Sequence, residues 1–178
     1  MPEHTEPTRT YIWAVANPIR FRILEVLREG PSTASRLGRR LGESRGSMSY
    51  HLRILARVGA IEELPEAGTA RERWWQRPEE MVILPSDVDP EAREYGTRLL
   101  AMFFARDADV RHRFTTRPVS EEWQRGAFIG NWFIALTPEE ADELGKRLTA
   151  IVEELRRRDP PDGAEQALVS VSVLPVVD

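Results

Sequence analysis

The apolar residues of this chain keep a helical rhythm from Asn17 to Gly59, then change to strand-like runs. After Asn17 the apolar positions Ile19, Ile23, Leu24, Val26 and Leu27 recur at helical spacing. Asn17 is an N-cap and Pro18 a first-turn proline, so this helix starts cleanly and runs to about Glu29, where Gly30-Pro31 stops it. Ser32 or Thr33 caps a short second helix whose inward residues are Ala34, Leu37 and Leu41, and Gly42 closes it. Ser44 caps a third, with Met48, Leu52, Leu55 and Val58 on one face and Gly59 at its end. Ala60–Leu64 is then a short strand, Pro65–Thr69 a turn, and Arg71–Arg77 a second strand of aromatic and long polar side chains.

The second half has its own pattern. Pro78–Asp89 reads as a linker holding one apolar run, Met81-Val82-Ile83-Leu84, which predicts a short docked strand. Asp89-Pro90-Glu91 starts a helix of about 20 residues, striped by Ala92, Tyr95, Leu99, Met102, Phe103 and Val110 and widened by Leu100 and Phe104. A stripe that broad implies burial on two sides. Ser120-Glu121-Glu122-Trp123 predicts one helical turn. Ala127–Leu136 is the strongest strand pattern in the chain, with Phe128, Trp132, Ile134 and Leu136 on one face and Ile129, Phe133 and Ala135 on the other. Thr137-Pro138-Glu139-Glu140 is a capping box that opens a long helix with Ala141, Leu144, Leu148, Ile151 and Leu155 inward. Ala167–Val173 predicts a final strand paired with Ala127–Leu136. The expected architecture is α+β: residues 1–78 as one domain, residues 79–178 as a small α/β domain.

The helix after Ser44 carries the chemistry. Opposite its apolar face stand Gly46, Tyr50, Arg53 and Arg57, flanked by Ser47 and Ser49, with Arg45 in its first turn. That outward set is small, hydroxylated or cationic and contains no acid. Such a face fits a major groove, where Arg, Ser and Tyr reach base edges and phosphates. Two helices joined by a short turn with a glycine make a helix-turn-helix, and a hairpin directly after it makes a wing. The expected DNA contacts are Arg45, Ser47, Ser49, Tyr50 and Arg53 at the bases, with Arg57, Arg71 and Arg73 at phosphates or the wing groove. Trp74 and Trp75 are expected to pack against the helices, where large aromatics contribute most.

Residues 13–77 resemble the winged-helix domain of ArsR-type bacterial transcription regulators. The resemblance rests on ANPIRFRILEVL (Ala16–Leu27), SYHLRIL (Ser49–Leu55), VGAIEE (Val58–Glu63) and RERWWQ (Arg71–Gln76), in that order and spacing. It covers a little over a third of the chain. It implies a dimer that binds a palindromic operator, more readily as a repressor, and is released by a signal. Some regulators of this type carry an appended domain, so residues 79–178 are expected to dimerise or to sense an effector. Tyr95, Phe103, Trp123, Trp132 and Phe133 are the candidate lining of a pocket for a small organic effector; the alternative is that they are core. The sequence departs from the family in one respect. Many members sense metals through cysteine thiolates near the helix matching Ser35–Leu41, and this chain has no cysteine. Thiolate sensing of a soft metal lacks its ligands. Asp107, Asp109 and His112 are the one oxygen and nitrogen group at close spacing, and a solvated helix face explains them better, so no metal and no cofactor is expected.

Charge refines this reading. The chain of 178 residues carries a formal net charge of −4. Arg36, Arg39, Arg40, Arg45, Arg53, Arg57, Arg71, Arg73 and Arg77 against Glu43, Glu62, Glu63, Glu66 and Glu72 leave Pro31–Arg77 at +4 and the remainder at −8. A basic reading head on an acidic body suits DNA binding and opposes non-specific adhesion. The polar, acidic N-terminus, the lack of any run long enough to span a bilayer and the lack of cysteine point to a cytoplasmic protein without a secretory leader. No nucleophile–base grouping, phosphate-binding glycine loop or metal-ligand spacing is present, so an enzyme is not expected. The alternative to DNA binding is a winged-helix module whose helix face binds protein.

Overall fold

The computed structural model describes residues 9–69, 72–78 and 90–176. In chain order its elements are α1 (Arg9–Val15), α2 (Pro18–Leu27), β1 (Ser32–Thr33), α3 (Ala34–Leu41), α4 (Arg45–Arg57), β2 (Glu62–Thr69), β3 (Glu72–Gln76), α5 (Pro90–Thr116), α6 (Glu121–Gly126) and α7 (Pro138–Arg157). They group into two compact units, divided between Ala105 and Arg106 within α5.

Local chemistry sets the helix ends of the first unit. Asn17 Oδ1 accepts from the backbone N–H groups of Ile19 and Arg20 at 3.1 and 3.2 Å, capping α2. Thr33 caps α3, accepting from Arg36 N. Ser44 Oγ accepts from Ser47 N at 3.1 Å and caps α4. The turn between α3 and α4 depends on two glycines. Gly42 sits at φ 73°, the left-handed conformation in which a Cβ is penalised. A Cβ on Gly38 would lie 2.7 Å from the Glu43 carbonyl oxygen and 3.5 Å from Met48 Cγ, so only glycine lets the chain fold back this closely.

The core forms where these helices meet. Leu37, Met48, Leu52 and Leu55 are fully buried against Ile23, Leu24 and Leu27 of α2; each such side chain contributes roughly 1.5–3 kcal/mol relative to exposure. The preceding helix, α1, has no counterpart in the sequence reading. It buries Ile12, Ala14 and Val15. Arg20 locks it to α2: Nη2 donates to the Trp13 carbonyl at 3.0 Å, Nε donates to the Ala14 carbonyl, and the guanidinium lies 4.8 Å from the Trp13 ring centroid. A cation on the last carbonyls of α1 also complements the helix dipole.

The sheet is antiparallel in the order β1-β3-β2. Trp75, on the central strand, pairs with both Ser32 and Glu63 and is buried in the core. Trp74 is half-buried, with the Arg36 guanidinium 4.5 Å from its ring centroid. The expected turn Pro65–Thr69 is instead part of β2. Proline lacks the N–H for a ladder bond, but β2 is an edge strand and its register shifts between Leu64 and Thr69, so the sheet tolerates it there. The first part of α5 completes this unit: Leu99 joins the core, Tyr95, Met102 and Phe103 pack on it, and Phe103 meets Phe21 edge-on at 5.4 Å. Leu100 and Phe104, which widen the stripe, are exposed in the single chain. The predicted run Met81-Val82-Ile83-Leu84 lies outside the described residues.

In the second unit the predicted helices form. Ser120 caps α6, and Thr137 and Glu140 make the reciprocal capping box of α7 at 3.2 and 2.8 Å. Asp107 is buried, accepts from its neighbour Arg106 at 2.7 and 3.0 Å, and accepts from Ser170 Oγ at 2.5 Å. The two predicted strands do not form. Ala127–Leu136 and Ala167–Val173 belong to no ladder, so the α/β expectation is corrected to helices joined by irregular segments. The apolar alternation is there, but a strand also needs a backbone partner, and among the described residues no backbone group of 128–136 or 165–176 pairs with another.

Gly38→Ala should destabilise the full chain by about 1–3 kcal/mol through overpacking of the turn. Gly145→Ala, in open space on α7, should be neutral or stabilising by up to about 1 kcal/mol. Urea denaturation followed by circular dichroism compares the two, and equal small effects would rule out the close approach at Gly38.

Candidate nucleic-acid interface

The burial of α4 on one side determines what it shows on the other. Met48, Leu52 and Leu55 point inward at intervals of four and three. Arg45, Gly46, Tyr50, Arg53 and Arg57 are exposed, Tyr50 at 54 %, and Ser47 and Ser49 are half-buried at the flanks. Arg53 Nε donates to the Ser49 carbonyl at 3.1 Å, which holds the guanidinium along the helix. Among the described residues neither Arg53 nor Arg57 forms an ion pair. The face therefore presents hydroxyls, one aromatic ring and the cations Arg53 and Arg57. It is the set expected from the sequence.

The wing differs in detail. Arg73 is exposed on β3 and pairs with Glu63 across the hairpin at 3.6 Å. An exposed pair at that distance is weak, and a phosphate can compete for the guanidinium. Arg71 lies outside the described residues. Arg40 is occupied by Glu29, through two bonds of 2.5 and 2.6 Å.

Behind the face lies a polar pair, Arg20 and His51, of which Arg20 was not singled out in the sequence. Arg20 is buried, and His51 stands in α4 with its Nδ1 buried and without a hydrogen-bond partner among the described residues. The signal for Arg20 was present: it occupies the inward position of α2 that Ile23, Leu24 and Leu27 continue. Burial lowers the His51 pKa below its usual value; Arg20 lowers it further, and Glu43 opposes both. The neighbouring Tyr50 ring meets His51 edge-on at 5.3 Å.

The five candidate pocket residues fall in different places. Tyr95 and Phe103 belong to the first unit. Tyr95 packs on the core, and Phe103 lines a cavity of about 30 Å³ with Tyr11, Phe21, Leu24, Glu25, Arg77 and Leu99. Burial raises the Tyr11 phenol pKa there, while Arg77 acts in the opposite direction. Trp123, Trp132 and Phe133 belong to the second unit. Trp123 is half-buried, and Trp132 and Phe133 are exposed at 68 % and 91 %. Asp107, Asp109 and His112 do not converge: Asp107 is held by Arg106 and Ser170, Asp109 pairs with Arg113 at 2.7 Å, and His112 is exposed.

His51 makes stability depend on pH. Unfolded, it titrates near 6.5, and folded it titrates lower. The unfolded chain therefore binds the proton first as pH falls. The stability contributed by the neutral ring is full above about 6.5 and is lost as pH falls through the folded value. The urea midpoint should drop as pH falls below about 6.5, and His51→Gln should flatten part of that drop. An unchanged slope in the variant would contradict the assignment.

Residues 15–63 match a family model described as a helix-turn-helix domain. No curated protein matches the chain. Among solved structures, one described as a possible transcriptional regulator for arsenical resistance is 23 % identical, covering 61 % of this chain and 96 % of its own, with a TM-score of 0.34. The adhesin competence repressor AdcR of Streptococcus pyogenes is 16 % identical over 78 % of this chain and 81 % of its own, with a TM-score of 0.35. A variant of ZitR from Lactococcus lactis, solved in complex with DNA, is 19 % identical over 78 % of this chain and 75 % of its own, with a TM-score of 0.31.

Proposed function

We propose that this chain is an ArsR-type transcriptional regulator that binds a palindromic operator as a homodimer; residues 15–63 match a helix-turn-helix domain, and the hairpin β2–β3 follows it as a wing. The observation that carries the reading is the exposed face of α4. A helix firmly buried by Met48, Leu52 and Leu55 presents Arg45, Tyr50, Arg53 and Arg57 outward, with no carboxylate among them. Arg45, Ser47, Ser49, Tyr50 and Arg53 read the major groove. Arg57, Arg71 and Arg73 hold phosphates or the adjoining groove. Two-fold symmetry then sets the half-sites about one helical turn apart.

Repression is the simpler mode, since bound protein excludes other proteins from the same duplex. Release needs a signal. The chain has no cysteine, so the signal is not a thiolate-bound metal; a small organic molecule is the proposed class. The cavity beside Phe103 takes at most a water-sized guest. A larger effector would use the aromatic side chains Trp123, Trp132 and Phe133 of the second unit. Among the described residues no helix is long and apolar enough to cross a membrane.

Selection of genomic DNA by the purified protein identifies the site, and fluorescence anisotropy then measures binding. If each protomer neutralises roughly four phosphates, the log–log salt slope is about −7. Arg53→Ala should weaken the selected site by about 10- to 100-fold and random duplex far less, because a base contact carries about 1–3 kcal/mol of discrimination. Arg57→Ala should weaken all duplexes alike and reduce the slope by about one. No binding to any duplex at low salt would overturn the reading in favour of a protein-binding winged helix.

A further inference from the structure

The second unit leaves most of its apolar side chains in solvent. Phe128, Ile129, Trp132, Phe133 and Ile134 are all more than half exposed, and so are Val169, Leu174 and Val176. On α7, Ile151 and Leu155 are also exposed. With three aromatic rings of about 150–250 Å² each when fully exposed and seven aliphatic side chains at least half exposed, this apolar surface is on the order of 1,000 Å². A monomer rarely exposes an apolar patch beyond a few hundred Å², and a stable interface needs about 800 Å² from each partner.

The two irregular segments have strand character without a strand's partners. Phe128 and Trp132 stack at 5.7 Å over Gly130, where any side chain would run into both rings. Residues 128, 130 and 132 therefore share a face, as a period of two requires. In the second segment Ser170 turns in to Asp107 while its neighbours Val169 and Val171 are exposed. That segment is anchored on one side and presents valines on the other. Both segments have unpaired backbone edges among the described residues, and between them 127–136 and 166–176 contain no charged residue. A charge is the usual guard against edge pairing, and here it is missing.

We infer that these two segments become strands by pairing with the same two segments of a second copy of this chain, which also covers the exposed apolar residues of α7. The inference rests on the homodimer reading above and specifies where the dimer is held. A second copy is the occupant that fits. Each chain carries two unpaired strand-like segments and an uncovered amphipathic helix, so each copy supplies what the other lacks, as a two-fold interface requires. The area available is that of a permanent interface rather than a transient one.

Light scattering on the full chain, with hydrogen exchange followed at high and low concentration, tests this. The expected result is a dimer in which the amides of 128–136 and 167–174 exchange at least ~100-fold more slowly than unstructured amides, with that protection lost on dilution to monomer. Phe133→Asp should give a monomer with both segments exchanging freely and α2–α4 still protected. A wild-type dimer with fast exchange at both segments would overturn the inference and leave the homodimer reading standing, with its interface elsewhere. A wild-type monomer with slow exchange there would overturn both, because the chain would then cover itself. A Phe133→Asp dimer that keeps its protection would also overturn the inference.

Discussion

The chemical face that this molecule presents follows from the one-sided burial of α4. A helix of thirteen residues has little stability alone in water. Met48, Leu52 and Leu55 supply it by docking against α2 and α3. Because α-helical spacing puts those three on one face, Arg45, Tyr50, Arg53 and Arg57 have nowhere to go but outward. Packing energy is thereby converted into a presented chemical face.

That docking in turn depends on how closely α3 and α4 approach. Gly38 removes a side chain where the Glu43 carbonyl needs the space, and Gly42 takes the backbone through a left-handed turn. Arg20 gathers the C-terminal carbonyls of α1 and is a buried cation near enough to His51 to act on it. The exposed face and its foundation are electrostatically linked, since α4 carries the exposed arginines and also His51, whose pKa is lowered by burial and further by Arg20.

The two halves of the chain express opposite degrees of self-sufficiency. In the first unit the apolar positions of α2, α3, α4, β3 and α5 close on one another, and even the large Trp75 is covered. In the second, capping is complete but burial is not: α6 and α7 have well-formed N-termini, yet Ile151 and Leu155 remain in solvent. Capping needs only a few neighbouring residues, whereas burial needs a second surface.

Local signals in the sequence were enough for the helix-turn-helix. Asn17, Thr33, Ser44 and Thr137 cap where their side chains can reach an N–H three residues on, and the inward faces of α2, α3 and α4 follow from periodicity alone. Both the outward arginine face and the burial of Trp75 were legible for the same reason. What the sequence could not decide was anything depending on distant partners. The seven-residue α1 is held by Arg20, and Pro65 stays in a strand because β2 happens to be an edge. The apolar alternation of Ala127–Leu136 looks the same whether a ladder partner exists or not. Periodicity records which side of a segment seeks burial; only tertiary structure shows whether something lies there to bury it.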